Sequence, residues 1–287
     1  MTAGLILGTV QFGQAYGVAN AGGRVLEAEC EKILQTAARL GVKTLDTAPA
    51  YGESEIVLGR LAPKAGLFRI ITKTPTIRSL AEALDPVHGI AASLEQSLEN
   101  LGQDRVGGLL VHNLHAFPDE DADKILEELF RLRDAGKTSA IGLSLYDPDE
   151  LGRFGDLSGI DLVQLPINLL DRRFSQSGCI ERLKIMGIEV HARSVFLQGL
   201  LLMPPDRAPE YFDPIRDILR TFHEDAEKAG LPPLDAALGF VAGQAGIDGM
   251  VVGVDTHRQL EEIAGALEKG VIEDVCGYAC DSSDMID

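Results

Sequence analysis

Eight short apolar runs, with helically spaced stretches between most of them, constrain this chain more than any other feature. The runs are Leu5–Gly8, Thr44–Asp46, Arg69–Lys73, Gly108–His112, Ala140–Ser144, Leu162–Leu165, Glu189–Arg193 and Met250–Val254. They are rich in leucine and β-branched residues and too short for helices, so they predict strands. Between them, Glu27–Leu40 brings Ile33, Leu34, Ala37 and Leu40 onto one face before Gly41 ends it. Glu53–Leu61, Gly89–Leu101, Asp121–Ala135 and Thr256–Leu267 have the same character, with Asp147 (before Pro148) and Thr256 placed as N-caps. Strand and helix in alternation specify a parallel α/β fold, and eight units are enough to close a (β/α)8 barrel. At 287 residues, with no Ser/Gly-rich linker, the chain is expected to form one such domain over 1–287. An extra helix is expected near 213–229, ahead of another over Pro233–Gln244, and a short tail from about residue 268. The competing architecture is a doubly wound open sheet. Its glycine fingerprint is missing, because Gly8-Thr9-Val10-Gln11-Phe12-Gly13 lacks the GxGxxG order.

In a parallel barrel the C-terminal strand ends share one mouth, where the chemistry resides. Three runs end there on polar residues: Asp46 after VKTL, Lys73 after IIT and His112 after LLV. Tyr51 follows the first of them on its loop, in DTAPAYGESE. An acid, a phenol, an amine and an imidazole meeting at one point make a proton-transfer site. A buried ammonium at Lys73, fixed by Asp46, would favour the phenolate of Tyr51 and depress its pKa. His112 could donate a hydrogen bond to a carbonyl oxygen, and Tyr51 could exchange a proton with that oxygen. Taken singly, each residue also has a structural explanation: an Asx-turn, a packed loop ring, a solvated lysine, a satisfied core histidine. A Schiff-base lyase or aldolase using Lys73 is a second reading of the same residues.

The net charge of −18 argues against nucleic acid and anionic membrane surfaces as partners. No run is long and apolar enough for a transmembrane helix. Cys30, Cys179, Cys276 and Cys280 are scattered, which suits reduced thiols in the cytosol better than a disulfide framework or a metal centre.

From about Leu5 to Leu267 the chain resembles the aldo/keto reductase family. The resemblance is carried by LDTAPAYGESE, ITKTP, SLENLGQDRVGGLLVHN, IGLS, VQLPINLL, RSVFLQGLLL and VVGVDTHRQLEE, in the family's order. It implies a TIM barrel, an extended nicotinamide cofactor (NADPH, with NADH as the alternative), and a small-molecule carbonyl substrate. It implies Asp46, Tyr51, Lys73 and His112 as the catalytic set. Gly8 and Thr9 would lie by the cofactor and Ser144 and Gln164 at its carboxamide. Ser194, Gln198, Gly199 and Leu200 would follow the pyrophosphate, and Gly253, Gln259 and Glu262 would lie at the adenosine end. Oligomeric state is left open.

Three departures from the family stand out. Leu145 replaces a common Asn. Arg193 replaces a Tyr that stacks on the nicotinamide, a place a guanidinium plane could take. Gly253-Val254 and Gln259 replace the Lys-Ser and Arg that hold a 2′-phosphate, leaving Arg258 or His257 as substitutes. Val10 and Asn113 fall where members acting on apolar aldehydes place Trp. A wider, polar mouth with Phe12, Tyr16, Asn113 and His115 is therefore expected, suited to a sugar or other hydroxylated carbonyl. The departures at Leu145 and Arg193 also leave room for a low-turnover nicotinamide-binding sensor.

Overall fold

The computed structural model describes residues 3–62, 66–76, 86–113, 121–154, 156–268, 278, 280 and 283–286. The eight runs become strands β1 (Gly4–Gly8), β2 (Thr44–Asp46), β3 (Arg69–Lys73), β4 (Gly108–Val111), β5 (Ile141–Ser144), β6 (Leu162–Pro166), β7 (Glu189–Arg193) and β8 (Gly249–Gly253). Each pairs in parallel with the next and β8 closes onto β1, from Gly4 opposite Gly249 to Gly8 opposite Gly253. The fold is a TIM (β/α)8 barrel. The principal helices are α1 (Glu27–Arg39), α2 (Ser54–Leu61), α3 (Pro86–Leu101), α4 (Ala122–Asp134), α5 (Cys179–Ile185), α6 (Arg216–Lys228), α7 (Pro233–Ala242) and α8 (His257–Glu268).

Side chains alternate across a strand, so residues two apart share a face. That period groups the barrel residues into layers. At the C-terminal ends stand Asp46, Lys73, Ser144, Gln164 and Arg193, all of which line one cavity. Below them Ile71, Leu110 and Leu162 form a separate, fully buried apolar cluster. At the opposite end Arg69 donates twice to Glu189, at 2.9 and 2.8 Å, and His191 Nε2 lies 2.6 Å from the same carboxylate. The apolar layer separates the two polar ones.

The helices lie where their apolar faces require. In α1, Ile33, Leu34 and Ala37 are buried, and in α4 Ile125, Leu126, Leu129 and Leu132 are. Asp147 caps a short 3-10 turn over Pro148–Arg153: it accepts from Asp149 N, while Glu150 reaches back in a capping box. Thr256 accepts from Gln259 N at the start of α8. The extra helix, α6, begins at Arg216, after a 3-10 turn over Glu210–Ile215 that contains Pro214. Within the tail, Tyr278 donates to Asp225 at 2.6 Å and Cys280 N donates to Leu170 O, which ties this segment to the α6 side of the barrel.

Gly142 on β5 shows how tightly the barrel is filled. A Cβ there would lie 2.0 Å from Leu162 O and 2.8 Å from Leu110 Cδ2. Gly142→Ala is therefore expected to destabilise the protein by at least about 1–3 kcal/mol. Urea unfolding checks this, and an unchanged midpoint would contradict so close an approach.

Candidate active site

Tyr51 is placed by backbone rather than by its own packing. The loop from β2 to α2 crosses the turn after β1 so closely that a Cβ on Gly13 would lie 1.7 Å from Tyr51 O. Gly52 turns the chain with φ +58, and its own Cβ would lie 2.6 Å from Gly13 O. Buried hydroxyls tie the same segments together. Thr9 Oγ1 donates to Asp46 O (2.9 Å), and Ser54 Oγ donates to Thr9 O (2.8 Å) and lies 3.1 Å from Thr47 Oγ1.

Over this scaffold Lys73 Nζ makes three contacts from full burial. It donates to Asp46 Oδ1 at 2.7 Å, Thr47 O at 3.0 Å and Tyr51 Oη at 3.3 Å. Asp46 keeps its second oxygen for Gln164 Nε2, at 2.8 Å. Burial works against the ammonium, but the charge of Asp46 and the hydrogen bonds to Asp46 and Tyr51 outweigh it and hold the Lys73 pKa above its ordinary value. A lysine so held is a cation and not a free amine, which disfavours the Schiff-base reading.

The expected depression of the Tyr51 pKa is not what the structure gives. Burial of the phenol is the largest influence and raises its pKa; Lys73 pulls it down, and the net direction is upward. The cation limits the desolvation cost without overcoming it. His112 closes the group, its ring meeting that of Tyr51 edge-on at 5.8 Å between centroids. Burial, then the positive charges of Lys73 and Arg193, lower the His112 pKa to about 3. The imidazole is thus neutral at physiological pH, and its buried Nδ1 has no hydrogen-bond partner.

The four residues share a cavity of about 690 Å³, within the usual range of small-molecule sites. Gly8 and Thr9 on the β1 end line it, as do Ser144 and Gln164 opposite. Arg193, Ser194, Gln198 and Gly199 line it from the β7 loop, and Gly253, Gln259 and Glu262 from β8 and α8. Tyr16 lines it too. Leu200 does not: its side chain is fully buried in the core next to that loop. Phe12 is also a core residue, 1% exposed, because the short helix Val10–Gly13 turns its ring inward while Val10 and Gln11 face the cavity. Asn113, the neighbour of His112, is half-buried and outside the cavity lining, as expected when successive residues of an extended segment face opposite ways. His115 and Cys276 lie outside the described residues. Among the described residues no cluster of His, Cys, Asp and Glu could hold a metal.

Several features suit an elongated polar ligand. Gln11 Oε1, His112 Nδ1 and Arg193 Nε are buried without partners. The loop after β7 holds Ser194, Leu197 and Gln198 at φ of 57, 46 and 55. Each such residue costs about 1–3 kcal/mol of backbone strain, a cost concentrated at ligand sites. Arg193 lies with Cζ 4.2 Å from the centroid of Tyr146 and donates to Leu145 O at 3.0 Å, so one guanidinium face is already stacked on a protein ring.

The model of the aldo/keto reductase family matches residues 4–280, nearly the whole chain. The chain belongs to the aldo/keto reductase family. It is 29% identical to Aldo-keto reductase YhdN of Bacillus subtilis over 154 residues, which cover 48% of this chain and 43% of that protein. It is 26% identical to an NADH-specific methylglyoxal reductase of Escherichia coli over 193 residues, 60% of this chain and 58% of that one. The chain thus matches about half the length of these two relatives. PA4992 of Pseudomonas aeruginosa, described as a candidate aldo-keto reductase, superposes with a TM-score of 0.69 over 93% of this chain and 90% of its own. At 23% identity that likeness speaks to the fold alone.

Of the residues lining the cavity, the sequence pattern does not single out Gln11, Asn20, Tyr146 or Asp255. Gln11 and Tyr146 carried a usable signal, each following a strand whose last residues do line the mouth. Asn20 carried none, because the loop after Gly13 has no periodicity. Gly13→Ala is expected to push the Tyr51 loop away from Lys73. It should lower both the unfolding midpoint and any catalysed rate; native values for both would contradict the close crossing. The His112 imidazole is expected to stay uncharged as pH falls from neutral to about 4. Histidine-selective NMR checks this, and protonation near pH 6.5 would contradict the burial described.

Proposed function

We propose that the protein is a nicotinamide-dependent oxidoreductase that reduces an aldehyde or ketone, or oxidises the matching alcohol, with Tyr51 as general acid/base. The observation that carries this reading is the contact of Lys73 Nζ with both Asp46 and Tyr51 beside a neutral His112. A reduced nicotinamide held along the cavity would supply the hydride that the carbonyl carbon needs. His112, being neutral, can donate one hydrogen bond to the carbonyl oxygen and orient it without giving up a proton. Tyr51 then delivers its phenolic proton to that oxygen. A phenol with a raised pKa gives no phenolate in advance, which suits a donor that must stay protonated until charge develops on the oxygen. The adjacent Lys73 ammonium stabilises the phenolate left behind, and Asp46 and Gln164 keep Lys73 in place. Ser144, Gln164, Ser194, Gln198, Gly199, Gly253, Gln259 and Glu262 are the proposed cofactor contacts along the cavity.

The substrate we propose is polar, in the class of small oxo-aldehydes and sugar-like carbonyls. Support comes from Tyr16 at the mouth, from the half-exposed Arg193 near Tyr51 and His112, and from the E. coli relative named for methylglyoxal. Removal of the proton donor tests the assignment. Tyr51→Phe is expected to keep cofactor affinity and to lose about 10²–10⁴-fold in turnover. Turnover within a few-fold of native would overturn the role of Tyr51.

A further inference from the structure

The cavity has a catalytic end and a far end, and their charges differ. A dinucleotide that presents its reactive ring to Tyr51 must lay its other nucleoside at the far end, where β8 passes into α8. Asp255, Gln259 and Glu262 line that end. The Asp255 carboxylate accepts from Asn20 Nδ2 at 3.2 Å, and Glu262 is exposed. Neither acid has an ion-pair partner among the described residues. Burial alone raises the Asp255 pKa, with no cation opposing it. Gln259 offers no positive charge, and its Oε1 already accepts from Asp255 N and Thr256 N.

The basic side chains nearest this end are paired elsewhere or lie outside the cavity lining. His257 gives both its backbone N–H and Nδ1 to Glu29, whose carboxyl is thereby held at about pKa 2. Arg39 pairs with Glu261 and Arg24 with Glu53. Arg258 is exposed and does not line the cavity. The two basic side chains that do line it, Lys73 and Arg193, both influence Tyr51 at the catalytic end.

We infer that this site is built for NADH and against NADPH, with Asp255 and Glu262 as the discriminating residues. The two cofactors differ by a phosphate on the 2′-oxygen of the adenosine ribose. A free ribose diol offers two hydroxyl donors, which suit carboxylates that accept hydrogen bonds and nothing else. A 2′-phosphate removes one donor and adds about 1.5–2 negative charges beside two acids with no counter-charge.

This inference rests on the oxidoreductase proposal, and direct binding separates the two. Titration calorimetry of the full chain with NADH and NADPH is expected to show NADH at least about ten-fold tighter. The gap should narrow at high salt, which screens repulsion. Asp255→Asn is expected to narrow it by improving NADPH binding, and Glu262→Lys to close or reverse it. NADPH binding as tightly as NADH to the native protein would overturn the inference and leave the oxidoreductase proposal standing. Failure of both cofactors to bind would overturn both. A gap unmoved by salt and by either substitution would show that charge at these acids is not its origin.

Discussion

The mouth of this barrel is organised by one buried charge. An ammonium without water needs an opposite charge and hydrogen-bond acceptors, and Lys73 finds them in Asp46, the Thr47 carbonyl and the Tyr51 hydroxyl. Removing one partner of such a pair costs about 3–5 kcal/mol, because the other is left buried and uncompensated. The arrangement therefore cannot relax piecemeal. Asp46 is held by Gln164 from β6, its own backbone carbonyl by Thr9, and the Tyr51 loop by Gly13 and Gly52. The proposed proton transfer and the local stability rest on the same contacts.

The relation between Lys73 and Tyr51 is more restrained than a simple count of charges predicts. Burial raises the cost of ionising both groups, and the cation can only offset that cost for the phenol. The free protein then holds a neutral phenol next to an ammonium and a neutral imidazole. Each group is in the protonation state needed to meet negative charge as it develops on a carbonyl oxygen. Preorganisation of this kind lowers a barrier because nothing has to reorient when the charge appears.

Strand ends were the most legible part of the chain. Asp46 and Lys73 are placed on one rim by the strand ends they close, and Ser144, Gln164 and Arg193 by the family resemblance. The loops were less legible, for physical reasons. Phe12 looked like a mouth residue, but a single helical turn after β1 sends its ring into the core, and no periodicity announces a turn that short. Leu200 belongs to the segment that follows the pyrophosphate in the family resemblance, yet only its neighbours Gln198 and Gly199 face the cavity. Arg193 was expected to offer a plane to a cofactor ring, and Tyr146, two residues beyond β5, already occupies one side of it. The sign of the Tyr51 shift is not legible in the sequence, because proximity of a cation is visible in sequence order, whereas the depth of burial opposing it is not.

The far end of the cavity obeys the same electrostatics with opposite sign. Lys73 and Arg193 lie at the Tyr51 end and carboxylates without a counter-charge at the other, so an elongated ligand meets a gradient along its length. The proposed proton transfer depends on the charge of Lys73 acting on the Tyr51 phenol. Ultraviolet titration of tyrosine ionisation, with the Tyr51 signal assigned by its loss in Tyr51→Phe, measures that action directly. Lys73→Met is predicted to move the Tyr51 transition to still higher pH than in the native protein. A transition that does not move, or that moves down, would contradict the coupling on which the proton-transfer account is built.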